Sequence, residues 1–407
     1  MNCRHCGTAL RCDFLDLGFA PPSNAYLAAE DLSKPEVYFP LRLQVCEECW
    51  LVQTEDYASA ESLFSAEYAY FSSASTSWLA HAARYVEMIT SRLGLGRDSM
   101  VIEVASNDGY LLKNFVRAGI PCLGVEPTAS TAEAAEALGI PVRREFFGES
   151  LGKQLAGEGK SADLILGNNV YAHVPDINDF TRGITAVLKT GGTVTLEFPH
   201  VMRLIEHNQF DTVYHEHFSY LSLFTVGKIF EAAGLRVFDV EELPTHGGSL
   251  RVYGCHAGDS RPTTEAVTAL LHEEARRGLQ TPATYADFQA KAEKVKNDAL
   301  AFLLQAKRDG KTVAAYGAAA KGNTLLNFAG VKPDLLPYVC DAAAAKQNKF
   351  MPGSHIPILH PDEIVARRPD YVMILPWNIA TEVRQQLASL AEQGTKFVTA
   401  VPELQIV

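Results

Sequence analysis

The sequence has no apolar run of membrane-spanning length, no excess of basic residues and no density of cysteine, and each absence excludes a class. A transmembrane helix needs about 20 consecutive apolar residues, so the chain is expected to work away from the bilayer interior. Lys and Arg number 36 against 48 Asp and Glu, a formal net charge of −12, which argues against nucleic acid or an anionic membrane surface as partner. Any anionic substrate must then be met by local donors. Eight cysteines among 407 residues are too sparse for a disulfide scaffold. The first residues, MNCRHCG, hold no apolar signal core, so the expected location is cytoplasmic. What is present, 47% hydrophobic and 21% charged residues, describes a soluble globular protein too long for one core, with two or three domains expected.

The organising stretch is VIEVASNDGYLL, Val101 to Leu112. Met100 to Val104 reads as a buried parallel strand, Ala105 to Gly109 as a tight turn and Tyr110 to Ala118 as the start of a helix, the opening of a nucleotide-binding α/β sheet. The next strand, Cys122 to Val125, ends at Glu126 and Pro127, and a carboxylate there can accept both hydroxyl protons of an adenosine ribose. The fingerprint GxGxxG is missing, because Ser106, Asn107 and Asp108 stand where a pyrophosphate needs bare glycine backbone. The site therefore suits a nucleoside without phosphates. S-adenosylmethionine fits, since its cationic groups favour Glu103 and Asp108; the alternative is an ordinary strand with a Gly-containing turn.

Cys3, Cys6, Cys46 and Cys49 form two CxxC knuckles, a set suited to a tetrahedral four-thiolate zinc site of structural type. Reduced thiols without metal are the alternative, with His5 and Cys12 as bystanders or substitute ligands. Between this unit and the sheet runs a segment whose later part has helical periodicity and whose start holds Tyr68, Tyr70, Ser72 and Ser73, either helix-start chemistry or a ligand lid.

Strands and helices then alternate, which predicts a mostly parallel sheet with ligands at the carboxyl ends of its strands. Asn168, Asn169, His173 and Glu197 fall at such ends. The densest titratable cluster follows, DTVYHEHFSYLSLFT, with Tyr214, His215, Glu216, His217 and Tyr220. His215 and His217 are two apart, a poor spacing for two metal ligands on one helix, so an acid/base site is favoured over a metal site or a solvated polar cluster. His217 is the preferred base. Tyr214 shares its face only if the backbone turns at His215. His246 precedes Gly247 and Gly248, a turn at which backbone can approach a ligand.

A second α/β unit is expected from Thr312, with strand TVAAYG, turn GAAAKGNT and a helix from Leu325 to Ala329. Lys321, Gly322, Asn323 and Thr324 place a cation, amides and a hydroxyl at a helix start, which is phosphate chemistry unless this is a packing turn with an exposed lysine.

Together the paired CxxC unit, EVASNDGYLL, GVEP, NNVYAHVPD, LEFPH, YHEHFSYLS, THGGSLRVY, YGAAAKGNTLLN and PGSHIPI resemble the S-adenosylmethionine-dependent C-methyltransferases of deoxysugar biosynthesis over essentially the whole chain. The resemblance implies an α/β chain in three parts: a zinc-binding domain over residues 1–60, a central class I methyltransferase (Rossmann-like) domain over 61–257 and a C-terminal Rossmann-like domain over 258–407 holding thymidine diphosphate. It places Glu103, Ala105, Ser106, Asn107, Asp108, Glu126, Pro127, Asn168, Asn169 and Ser72 on the cofactor. It places Tyr68, His173, Tyr214, Glu216 and His217 at the sugar, and His246 with Lys321 to Thr324 on the substrate. The implied reaction is methylation of a carbon, C-3', of a dTDP-linked 4-keto-6-deoxysugar through an enolate, in antibiotic biosynthesis, by a monomer. A sugar-nucleotide oxidoreductase or epimerase, or an inactive zinc-ribbon scaffold, are the rival readings.

Overall fold

The computed structural model describes residues 1–55, 57 and 71–407; Tyr68 and Tyr70 lie outside the described residues. The strands among them form three sheets. The first is antiparallel, built from Cys12–Ala20, Phe39–Val45 and Val52–Thr54, and it buries Leu15, Leu17, Leu41, Leu43 and Val45. Both cysteine knuckles close alike, with the Gly7 amide on the Cys3 carbonyl and the Trp50 amide on the Cys46 carbonyl, each at 2.9 Å. Each closing residue is left-handed, at φ 76° and 60°, which glycine adopts freely and Trp50 adopts at a cost. The fourth strand of this sheet, Ser219–Tyr220, comes from far along the chain and pairs with Val52 and Gln53.

The central sheet has seven strands. From Val101–Val104 it extends one way through Cys122–Val125 to Val142–Arg143, and the other way through Ala162–Asn168, Leu188–Pro199 and Ser249–His256 to Leu235–Leu243. Among the described strands of this sheet Ser249–His256 runs against both its neighbours, forming a hairpin with Leu235–Leu243. The order reverses between Val101–Val104 and Ala162–Asn168, and ligands of such sheets bind in the crevice at that switch point. This is the class I methyltransferase arrangement.

The long helix Phe288–Arg308 buries Phe288, Ala292, Val295, Ala299, Leu303 and Ala306, a stripe at helical spacing. Its first residue packs on Phe14 of the first sheet, ring centroids 4.7 Å apart. The third sheet reverses its order between Val313–Tyr316 and Tyr371–Ile374, so it presents a crevice of its own. The helix expected to begin at Leu325 begins at Ala320 and runs to Phe328, so Lys321 to Thr324 form its first turn instead of a loop before it. Gly322 is needed for packing, because a Cβ there would meet the Leu375 side chain at 2.8 Å. Among the described residues no helix is long and apolar enough to cross a membrane.

Candidate active site

The sulfurs of Cys3, Cys6, Cys46 and Cys49 all lie within 4.8 Å of one another, with Cys3 to Cys49 at 3.5 Å and Cys6 to Cys46 at 3.4 Å. A tetrahedral site with Zn–S bonds of about 2.3 Å sets its sulfurs about 3.8 Å apart, so the cluster fits zinc with no open position.

At the switch point of the central sheet the turn after Val104 alternates left-handed residues, Ala105 at φ 56°, Asn107 at 49° and Gly109 at 75°. Only the last is glycine, and a Cβ there would strike Ile140 at 2.4 Å. Glu126 fastens this turn. Its Oε2 accepts the Asn107 amide at 3.0 Å and its Oε1 the Thr128 amide at 2.9 Å, which leaves each oxygen free to accept one more donor. Glu103 is wholly buried, and among the described residues neither of its oxygens has a hydrogen-bond partner. Burial, then the nearby charges of Asp108 and Glu126, push its carboxyl well above the usual range. A buried carboxyl beside Asp108, with the Glu103 oxygens and Asp108 Oδ1 lacking hydrogen-bond partners among the described residues, suits a cationic ligand. The residues thus fit S-adenosylmethionine. The Ser72 amide donates to Asn107 Oδ1 at 2.9 Å and the Ser73 amide to Asp108 Oδ2 at 3.0 Å, so this segment lies over the turn. Across the crevice the buried amide atoms of Asn168 have no partner among the described residues, and Asn169, left-handed at φ 55°, places Nδ2 3.0 Å from His246 Nε2. Pro127 follows the Glu126 corner and is half-buried.

The YHEHF segment closes as a turn, with the His217 amide on the Tyr214 carbonyl at 2.9 Å. That turn brings Tyr214 and His217 together, ring centroids 4.0 Å apart, and His173 faces His217 at 4.6 Å. His217 Nδ1 lies 3.0 Å from the Thr212 carbonyl and must carry the proton there, so Nε2 is the acceptor for the Tyr214 hydroxyl at 2.7 Å. Burial, then the neighbouring His173, hold His217 well below its ordinary value, so the ring is neutral. His173 and His246 are held down at about 4, chiefly by burial. His215 points away from them, with Nε2 on the Pro40 carbonyl at 3.2 Å, so it belongs to the contact with the first sheet. Glu216 is likewise buried and receives the amide of Asn24.

Opposite, Lys321 Nζ donates to Asn378 Oδ1 at 2.7 Å and lies 4.4 Å from the Trp377 ring centroid. Trp377 Nε1 donates to buried Asp211 at 2.8 Å. Burial lowers Lys321 to about 8 and raises Asp211 to about 6, and the lysine charge also presses on His217 and His246. Lys321 thus lies near enough to the region of His217 and His246 for its charge to act on both. Asn323 and Thr324 do not open into that region: Asn323 Nδ2 donates to the Ser23 carbonyl at 2.6 Å and Thr324 Oγ1 to the Val213 carbonyl at 2.7 Å, both buried.

Three family models match in succession: a zinc binding domain over residues 3–64, a methyltransferase domain over 78–240 and a C-methyltransferase C-terminal domain over 244–402. C-methyltransferase NovU of Streptomyces niveus is 34% identical over 406 residues, covering 100% of this chain and 96% of that protein. The chain belongs to this C-methyltransferase family. An uncharacterized methyltransferase of Mycobacterium leprae is 31% identical over 99 residues, 24% of this chain and 36% of its own. A solved S-adenosylmethionine-dependent methyltransferase from Clostridium acetobutylicum covers 44% of this chain at 11% identity, 92% of its own length, with a TM-score of 0.35.

Around the strand-end Glu197 the C-methyltransferase carries partners whose roles the sequence did not signal, His81, Thr245 and Arg251. Glu197, wholly buried, receives Arg251 at 2.7 Å, His81 at 2.9 Å and the Thr245 hydroxyl at 3.0 Å. Burial works against its charge, but His81 and Arg251 hold its carboxyl below the ordinary range. This network anchors the turn that carries His246, and Trp78 packs edgewise on that histidine with centroids 5.2 Å apart. Asp211 and Trp377 were equally hidden, because each matters only through a partner more than 100 residues away.

Proposed function

We propose that this S-adenosylmethionine-dependent C-methyltransferase methylates C-3' of a thymidine-diphosphate-linked 4-keto-6-deoxysugar, through an enolate formed by His217. The observation that carries the reading is the neutral His217 ring whose Nε2 lone pair is held by the Tyr214 hydroxyl. The bound cofactor, held by Glu103, Asp108 and Glu126, supplies an electrophilic methyl group. The chain must make a nucleophile from carbon. The Tyr214 hydroxyl turns to the ketone oxygen and uncovers His217 Nε2, which takes the proton from the adjacent carbon while the hydroxyl donates to the developing oxyanion. His173 stands beside this pair, and the Thr212 carbonyl keeps the Nδ1 proton in place so that the basic nitrogen stays on the substrate side. Lys321 supplies the positive charge at the diphosphate end, Glu216 binds a sugar substituent or orients a neighbour, and Glu126 reads the cofactor ribose. The same reading places the enzyme, as a monomer by resemblance, in deoxysugar and antibiotic biosynthesis.

Incubation with S-adenosylmethionine and a panel of thymidine-diphospho-4-ketosugars should add one methyl by mass. With S-adenosylhomocysteine in deuterated water, a bound ketosugar should exchange its acidic hydrogen. His217→Asn should lose both, with turnover down by about two to four decades, while still binding cofactor and nucleotide. Exchange that survives in His217→Asn and vanishes in His173→Asn would swap the two roles.

A further inference from the structure

The zinc-binding unit holds part of the YHEHF segment and the strand that follows it. Ser219–Tyr220 is the fourth strand of that unit's sheet. The Thr54 amide donates to the Phe218 carbonyl at 3.2 Å, and the Thr54 hydroxyl to the His217 carbonyl at 3.3 Å. From the loop between the first two strands of the unit, one amide nitrogen, Asn24 Nδ2, donates to both oxygens of Glu216, at 2.8 and 2.9 Å. That loop is itself pinned on the far side. The Tyr26 hydroxyl donates to the Ala318 carbonyl at 2.6 Å, and the Ser23 carbonyl accepts from Asn323 at 2.6 Å.

We propose that Asn24 is a positioning residue of the active site: it holds the Glu216 carboxylate, and through the Glu216 backbone the His173–His217 pair, in working register. The chemistry follows from the donor count. An NH2 group that meets both oxygens of one carboxyl is satisfied best when both are full acceptors, so Asn24 favours the ionised form and sets its rotation. The Glu216 carbonyl is the hydrogen-bond acceptor of His173, whose ring faces His217. A shift of Glu216 therefore moves both imidazoles relative to the sugar. In this reading the zinc-binding unit is a wall of the reaction chamber.

The inference rests on the proposed ketosugar reaction, and its test separates the two. Asn24→Ala should lower kcat by about 10- to 100-fold, the scale of an ångström of misplacement, with cofactor affinity, zinc content and Tm near wild type. Asn24→Asp keeps the shape but sets a second carboxylate against Glu216. Like charges at that distance share a proton, so the acid limb of kcat against pH should move upward. Independently of turnover, carbon-13 NMR of glutamate-labelled protein, assigned by loss of one signal in Glu216→Gln, should show Glu216 titrating at higher pH in Asn24→Ala than in wild type. Unchanged kcat and pH profile in both variants, or a Glu216 titration indifferent to Asn24, would overturn the proposal. A wild-type protein that methylates no ketosugar would remove the substrate reading, and the carboxyl titration would still decide the role of Asn24.

Discussion

Replacing Glu126 by alanine removes the residue on which the cofactor crevice turns. Each of its oxygens spends one lone pair on a backbone amide, Asn107 at 3.0 Å and Thr128 at 2.9 Å, and keeps one for a ribose hydroxyl. Two bonds to a charged acceptor disappear from the complex, each worth about 1.5–3 kcal/mol before water refills the space. The net loss should be about 2–4 kcal/mol, or about 30- to 1,000-fold in Kd. The freed Asn107 and Thr128 amides also loosen the turn in the ligand-free protein, so stability in urea must be followed alongside. Calorimetric titration with S-adenosylmethionine and with S-adenosylhomocysteine is the assay. The ribose is common to both and the sulfonium charge is not, so the two affinities should fall by the same factor. Unchanged Kd values, or a loss confined to the sulfonium ligand, would refute ribose recognition by Glu126 and leave it a charge partner or a turn clamp.

Cys46→Ser should lower zinc content and Tm together, because the fourth thiolate closes the site, and metal-free protein of equal stability would refute a structural metal. Lys321→Met should weaken thymidine diphosphate and spare the cofactor; since Lys321 titrates at about 8, wild-type nucleotide affinity should also fall as pH rises through that value, and the variant should lose this dependence. His173 and His246 titrate at about 4 in the folded chain against about 6.5 unfolded. The unfolded state takes up their protons first, so stability should fall as pH drops from about 6.5 towards 4, by about 1.4 kcal/mol per pH unit for each histidine. Urea unfolding of His246→Gln should show a shallower acid slope than wild type.

Much of the fold was legible because it is written in local pattern. Strands Val101–Val104, Cys122–Val125 and Val313–Tyr316 all stand close to where apolar pattern placed them. The helix carrying Lys321 was placed too late. Turn-like Gly322 and Asn323 sit inside its first turn, where Leu375 leaves no room for a Cβ at Gly322 and Asn323 reaches Ser23. Local propensity carries no information about such partners, and tertiary packing overrode it.

The sequence by itself determined the chemistry on offer. Cysteine spacing specified a thiolate site, and the absence of a glycine fingerprint with acids at Glu103, Asp108 and Glu126 specified a nucleoside carrying positive charge. The YHEHF run put two imidazoles, a carboxyl and a phenol into one short segment. Only the tertiary structure decided which nitrogen of His217 is bare, since that depends on the Thr212 carbonyl on its other side. It alone turned His215 towards the first sheet while Tyr214 turned towards His217. It alone brought the Lys321 charge within reach of His217, and Asn24 of the zinc-binding unit onto Glu216, 192 residues away. Identity along a chain is fixed residue by residue, whereas protonation and aim are fixed by what a side chain is buried against, and burial is settled only when distant segments meet.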